Sequence, residues 1–266
     1  SASLLLASCT EDFFFFFVKI DPPEYDKQLS FHLLLDQKDS AIRIVVSRNY
    51  GILESPESFD DWFVKGATAE LYENGQKWLT FTPLSVDSSF VLTAVLTHPL
   101  QPGGTYEIRA VHPDFPAVRA VQIMPADFQI DSARVKYNAV PGEFGDRIDL
   151  AEVFFQDQPG VKNYYEVKLF KLFYETRYDP QTGEMDTLGV VENAVYVDGY
   201  NDPNVQAGFY NGGLISDQFF DGQTYKFQAR FDSQSYGTAD SSIVVRVRHV
   251  TEDYFKWSRS YEANYE

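Results

Sequence analysis

Short runs of β-branched and aromatic residues, each closed by turn residues, recur along almost the whole chain. Several lie close together, and Asn74-Gly75 separates two of them with the pair of residues that a tight hairpin turn favours. The pattern predicts an all-β fold built from β-sandwiches. The predicted strands span residues 41–47, 67–72, 78–82, 90–97, 106–112, 118–123, 147–155, 164–173, 225–231 and 243–250.

One segment predicts a helix, and one pair of segments predicts a repeated domain. Residues 251–263 place aromatic side chains at helical spacing after Thr251, a residue able to cap a helix. Residues 103–110 match residues 222–229, and in both copies a glycine turn leads into a strand that starts with tyrosine. That tyrosine is typical of the tyrosine corner of immunoglobulin-like sandwiches. We therefore expect two tandem immunoglobulin-like β-sandwich domains with a short C-terminal helix.

The domain division follows from these elements and from the N-terminus. We expect residues 1–8 to be the remnant of a signal peptide, residues 9–20 a lipidated tether and residues 21–125 the N-terminal sandwich, which ends after Met124-Pro125. Residues 126–266 would form the second sandwich, with a long insertion at 174–213 and the terminal helix.

The single cysteine, Cys9, follows the short apolar run Leu4 to Ser8. This arrangement predicts a lipoprotein signal, in which small residues before the cysteine admit a peptidase and Cys9 carries the covalent lipid. The run is too short to span a bilayer, which needs about 20 apolar residues. The alternative is an ordinary buried strand that ends in a buried thiol.

Composition excludes some functions. With 39 Asp and Glu residues against 22 Lys and Arg, the net charge of −17 argues against nucleic acid as a partner. The four histidines are isolated along the chain, and no motif for a metal, a phosphate or a catalytic nucleophile is present. We predict no enzymatic activity, no metal and no cofactor apart from the lipid on Cys9. The acids and glycine of residues 179–186 predict a hairpin turn better than a calcium site.

Several segments together resemble one family. The lipobox at 6–9, the entry Ile20 to Tyr25, the aromatic loop between Val46 and Ala67, and Glu252 to Lys256 are similar to the DUF4249 lipoproteins of Bacteroidetes. So are residues 102–106, 155–165 and 220–225. The resemblance implies an outer-membrane lipoprotein, often associated with TonB-dependent transporters, and it implies no established activity. It also implies a surface location, because Thr10-Glu11-Asp12 after the cysteine resembles the surface-export signal of that phylum. The alternative is that two acids near a terminus are simply solvated.

Five consecutive phenylalanines follow these acids: Phe13, Phe14, Phe15, Phe16 and Phe17. They could form a first strand that is buried on both faces. Alternatively, they lie next to the membrane or a partner protein, because exposed apolar surface near a lipid anchor usually marks contact.

Two long connections are the candidate contact surfaces. Residues 49–65 carry Tyr50 and Trp62, and residues 174–213 carry Tyr178, Tyr200, Phe209 and Tyr210. Tyrosine and tryptophan are favoured at contacts because they bring large area with few rotatable bonds. The alternative is that these aromatics cover the ends of the sandwiches and that extra hairpins lie inside the second connection.

Taken together, these features predict a non-enzymatic lipoprotein at the surface of the outer membrane. Its partner would be an outer-membrane β-barrel, and it would help a TonB-dependent transporter to capture or admit a ligand. One alternative is a structural subunit of a multiprotein assembly or export complex. A glycan-processing enzyme is a second alternative, without a motif to support it.

Overall fold

The computed structural model describes residues 24–51, 54, 56–86, 89–142, 146–199, 202–208, 212–232 and 242–263. The described residues form an all-β protein with one α-helix, which confirms the predicted fold class. The chain divides into two compact units. The first comprises residues 1–99 and 107–120, and the second comprises residues 100–106 and 121–266. Cys9, Phe13 to Phe17, Tyr200, Phe209 and Tyr210 lie outside the described residues.

Eight strands form the sheets of the first unit: β1 (Leu29–His32), β2 (Ala41–Arg48), β3 (Thr68–Glu73), β4 (Gln76–Thr80), β5 (Thr82–Pro83), β6 (Val91–Val95), β7 (Thr105–His112) and β8 (Phe115–Ile123). They make two four-stranded sheets, in the orders β1-β2-β6-β5 and β4-β3-β7-β8. The start of β7 and the end of β8 fall within the residues of the second unit. Side chains alternate in burial along β2 and β7, as expected of strands that place one face in a core. The hairpin between β3 and β4 turns at Asn74 and Gly75, which both have positive φ as the sequence predicts.

The second unit is also a two-sheet sandwich. Its strands are β9 (Ile130–Pro141), β10 (Arg147–Gln156), β11 (Tyr164–Tyr178), β12 (Met185–Val195), β13 (Asp198–Gly199), β14 (Gln206–Gly208), β15 (Gly212–Ser216), β16 (Thr224–Phe231) and β17 (Ile243–Val250). One sheet has the order β13-β16-β10-β9, and the other has the order β12-β11-β15-β14, with β17 also paired to β11. Phe155 and Phe227 from the first sheet pack with Tyr165, Leu169 and Ile215 from the second in one buried core.

The helix α1 (Glu252–Ala263) follows β17 and packs on the outer face of the β11-containing sheet. Thr251 Oγ1 accepts a hydrogen bond from Tyr254 N at 3.2 Å, so the predicted capping residue does cap the helix. Phe255 packs on Tyr164 with a distance of 4.7 Å between the ring centroids. No helix among the described residues is both long enough and apolar enough to cross a membrane.

The internal repeat places two buried tyrosines in equivalent positions, Tyr106 and Tyr225. The Tyr106 hydroxyl accepts a hydrogen bond from Gln101 N at 2.7 Å, which ties the strand start to the backbone upstream as in a tyrosine corner. The Tyr225 hydroxyl donates to Asp202 Oδ2 instead. Gly103 and Gly222, at the turns that precede them, both have positive φ.

The long connection at 174–213 contains regular structure, in place of the unpatterned loop that the sequence predicts. It holds the end of β11 together with β12, β13 and β14, so the alternative of extra hairpins in this segment is confirmed. The sequence pattern missed β12 because most of that strand is exposed on both faces, and the apolar and polar residues therefore do not alternate.

Candidate functional site

The first candidate surface is the aromatic patch of Tyr50, Phe59 and Trp62, which lies in the first unit. The ring centroids of Tyr50 and Trp62 are 5.0 Å apart, so the structure brings together two residues that the sequence singles out. Phe59 is 72% exposed and Trp62 is 47% exposed. Large exposed aromatic rings at one place are typical of contact surfaces.

A short 3-10 helix, Phe59–Trp62, positions the two exposed rings. At its start, Ser58 N donates a hydrogen bond to Asp61 Oδ2 at 2.8 Å. At its end, Phe63 turns inward and stacks on Phe90, with 4.2 Å between the centroids. The helix is therefore fixed at both ends, and Phe59 and Trp62 remain outside.

A polar network holds Tyr50 beside this helix. The Tyr50 hydroxyl donates to Asp61 O at 2.5 Å, and the Arg48 guanidinium lies 4.2 Å above the Tyr50 ring. Arg48 is also paired with Glu54, which accepts a further hydrogen bond from the Tyr25 hydroxyl. The hydrogen bonds from Arg48 and Tyr25 lower the pKa of Glu54 to about 2. Glu54 therefore stays ionised and keeps Arg48 in place over the ring at ordinary pH.

The second candidate surface is the projecting hairpin, residues 173–191, which belongs to the second unit. On one side of β11 the described pairing with β17 covers Tyr164 to Lys171, and Leu172 N donates to Ser242 O at 2.9 Å. Beyond that point, β11 and β12 pair only with each other among the described residues. Tyr178, a residue that the sequence predicts for contact, lies near the tip and is 60% exposed.

The tip of the projecting hairpin is a tight turn. Asp179 N donates to Glu184 O at 2.9 Å, and Gly183 N donates to Asp179 O at 2.8 Å. Asp179 Oδ1 also accepts a hydrogen bond from Gln181 N at 2.8 Å. Gly183 has a φ of 75°, a conformation that favours glycine. These bonds form the hairpin turn that the sequence predicts for residues 179–186.

The two faces of the projecting hairpin differ in charge. Residues paired across two antiparallel strands share a face of the sheet. The pairs Tyr174–Val190, Thr176–Thr187 and Tyr178–Met185 therefore form one uncharged face. The pair Arg177–Asp186 and the side chain of Glu175 lie on the other face.

A third feature is a cluster of three aspartates, Asp157, Asp217 and Asp221, in the second unit. One carboxylate oxygen from each lies within 4.8 Å of the others, a spacing at which they could hold a metal ion. Asp157 and Asp217 are buried. Burial, together with the negative charges of Asp157 and Asp221, raises the pKa of Asp217. The sequence analysis missed this cluster because its members come from turns about 60 residues apart in the chain.

Hydrogen bonds already engage each of these aspartates with a neighbouring turn. Asp157 accepts from the side chains of Asn163 and Tyr165 and from Gly222 N, at 3.1, 2.5 and 2.8 Å. Asp217 Oδ2 accepts from Asn163 N at 2.6 Å, and Asp221 Oδ1 accepts from Gly160 N at 2.8 Å. The cluster therefore anchors the turns that join β10 to β11 and β15 to β16.

Both units are all-β, and each exposes large apolar side chains, at the aromatic patch in the first unit and at the projecting hairpin in the second. The chain belongs to the DUF4249 family, because the model of that family, "Domain of unknown function (DUF4249)", matches residues 18–266. This membership confirms the predicted DUF4249 family, and the description of the family names no activity.

No curated protein matches this chain. One solved structure that shares some similarity is that of a protein from Corynebacterium diphtheriae whose name describes it as membrane anchored. The two are 12% identical with a TM-score of 0.25, and the match covers 88% of this chain and 56% of the other. This chain thus spans a little over half the length of that protein.

Proposed function

We propose that this protein is a non-enzymatic lipoprotein of the outer membrane, anchored through Cys9 and facing the cell surface. It acts as an accessory subunit of a TonB-dependent transporter or a similar barrel and assists ligand capture. Membership of the DUF4249 family and the lipobox at Cys9 support this proposal. The observation that carries it is the aromatic patch, in which Phe59 and Trp62 are exposed on a helix fixed at both ends.

The physical argument concerns the free energy of binding. A contact surface gains most when its aromatic side chains are already held in the bound position, because less conformational entropy is then lost. The backbone that carries Phe59 and Trp62 is tied by the contacts of Ser58 and Phe63. Each ring also packs on a neighbour, Phe59 on Phe63 and Trp62 on Tyr50, with 5.0 Å between the centroids in both pairs. The patch is therefore suited to capture of a ligand at the surface.

The test removes the exposed rings and keeps the network beneath them. We expect the double substitution Phe59→Ser and Trp62→Ser to reduce ligand uptake roughly tenfold, the combined effect of losing two aromatic contact residues. Tyr50 is left in place because its hydrogen bond to Asp61 supports the local fold. Uptake is measured in cells that produce the lipidated full chain, and thermal unfolding of the same variant checks the fold.

Leu84→Ser is the matched control, because Leu84 is a 48% exposed apolar residue of the first unit outside the patch. It should leave uptake unchanged. Normal uptake by the double variant would contradict the proposal. Recovery of the lipidated protein with a large export complex, together with defects in many outer-membrane proteins, would favour the structural subunit. Turnover of a glycan by the protein alone would show an enzyme.

A further inference from the structure

The projecting hairpin has the composition and geometry of a docking element. Tyr174, Tyr178, Met185 and Val190 are each more than half exposed, and all four lie on the uncharged face. Thr176 and Thr187, between them, are also exposed. The face is therefore uncharged and carries four large exposed apolar side chains, and exposed apolar side chains grouped in this way are typical of binding sites.

The charges around this face indicate what binds it. Residues 173–191 contain four carboxylates, from Glu175, Asp179, Glu184 and Asp186, against the single guanidinium of Arg177. Asp179 and Glu184 lie at the tip, next to the Tyr178–Met185 pair. A complementary surface therefore carries apolar side chains opposite the uncharged face and Lys or Arg side chains opposite the tip.

At the base, the same face ends at a neutralised pair of charges. Arg246 Nη2 lies 3.0 Å from Glu192 Oε2, and the Arg246 guanidinium lies 4.5 Å above the Phe170 ring. The uncharged face is thus bounded by a neutral ion pair at one end and by unbalanced acids at the other. This asymmetry gives a partner a defined orientation along the hairpin.

We propose that the projecting hairpin docks onto a partner protein through its uncharged face, and that the partner presents an apolar surface bordered by Lys or Arg where the tip lies. A second copy of this chain is disfavoured, because two acidic tips on chains of net charge −17 repel each other. An anionic membrane surface is disfavoured for the same reason. The inference rests on the proposed function only in requiring a protein partner.

The first experiment locates the contact on the lipidated full chain in cells. A photoreactive phenylalanine analogue replaces Tyr178, and the same analogue at Val161, a 60% exposed position in another turn of the second unit, is the control. We expect crosslinks from position 178 to one protein, at a peptide with apolar residues next to Lys or Arg, and none to that protein from position 161. Crosslinks from position 178 only to lipid, only to a second copy of this chain, or to nothing would each overturn the inference.

The second experiment measures affinity for the purified crosslinked partner. Tyr174→Ser with Met185→Ser should weaken binding at least about tenfold, because both side chains are expected to be buried in the complex. Val161→Ser should leave it unchanged. Asp179→Asn with Glu184→Gln removes two charges and keeps the shape of the tip, so association should slow several-fold and depend less on salt. Unchanged affinity in the first variant, or unchanged salt dependence in the second, would overturn the inference.

These outcomes separate the two proposals. If the hairpin variants keep their partner while the patch variant loses uptake, the docking inference fails and the proposed function stands. If the hairpin variants lose their partner while the patch variant keeps normal uptake, the proposed function fails and the docking inference stands. Thermal unfolding of each variant should match that of the parent protein, since these side chains lie outside the core.

Discussion

The aromatic patch and the projecting hairpin both expose large apolar side chains, yet they hold them in different ways. The patch is tied by side-chain contacts: Arg48 lies over Tyr50, and Tyr50 is bonded to Asp61. The hairpin is held chiefly by the backbone pairing of β11 with β12 and by its tip turn. Surface held by a side-chain network has a fixed shape, whereas a hairpin whose two strands pair only with each other in the described part of the chain can adjust to a partner.

The largest expected effect tests whether β11 changes role along its length. Leu169 is fully buried in the core of the second unit, whereas Tyr174, on the same strand, is 69% exposed. We expect Leu169→Ala to lower the free energy of unfolding by about 2–5 kcal/mol. Tyr174→Ala should change it by less than about 0.5 kcal/mol. Denaturant unfolding measures both, and similar losses in the two variants would contradict the division between core and docking element.

A second prediction uses pH, because the two units contain carboxylates with opposite pKa shifts. The pKa of Glu54, beside the aromatic patch, is lowered to about 2, whereas the pKa of Asp217, in the aspartate cluster, is raised. A raised pKa means that the native state binds the proton more tightly, so the stability contributed by protonated Asp217 is present at low pH and is lost as the pH rises through that pKa.

Asp217→Asn should therefore raise the melting temperature at pH 7 by about 2–4 °C, which corresponds to about 1 kcal/mol. The advantage should shrink as the pH falls and Asp217 becomes protonated. Calorimetry from pH 7 to pH 4 measures the difference. Asp221→Asn, at the exposed member of the cluster, removes one of the charges that raise the pKa of Asp217 and measures that contribution separately. An advantage of the same size at every pH would show that the cost of ionising buried Asp217 is not its source.

The smallest effect concerns the hairpin turn alone. Gly183 has positive φ, and no atom would lie within 4 Å of an added Cβ, so Gly183→Ala introduces backbone strain without a clash. The strain costs about 1 kcal/mol. Because the hairpin lies outside the core, we expect amide exchange to quicken roughly fivefold in residues 173–191 and to stay unchanged elsewhere. A fall in the melting temperature of the whole unit would show that the hairpin is coupled to the core.

The sequence pattern was informative where a strand has one buried face. Residues 41–47 and 106–112 alternate, and the structure places strands there. β9 and β12 were missed because each is exposed on both faces along most of its length, so periodicity carries no signal. Tyr50 and Trp62 could be predicted as a pair because aromatic residues concentrate in one loop. The aspartate cluster could not, because only tertiary structure brings residue 157 next to residues 217 and 221.

The length of β11 has a mechanical consequence. On one side it pairs with β15 over Tyr164 to Val167 and with β12 from Leu169 onward, and on the other it pairs with β17 over Tyr164 to Lys171. Its last residues, from Phe173 to Tyr178, belong to the projecting hairpin. A pull on the tip along the strand axis is therefore transmitted into the sandwich as shear, and it loads the bonds to both neighbours at once. Hydrogen bonds that are loaded together in shear resist far more force than hydrogen bonds that open one at a time. A force applied to the hairpin tip should therefore be borne by the pairing of β11 without unfolding the second unit.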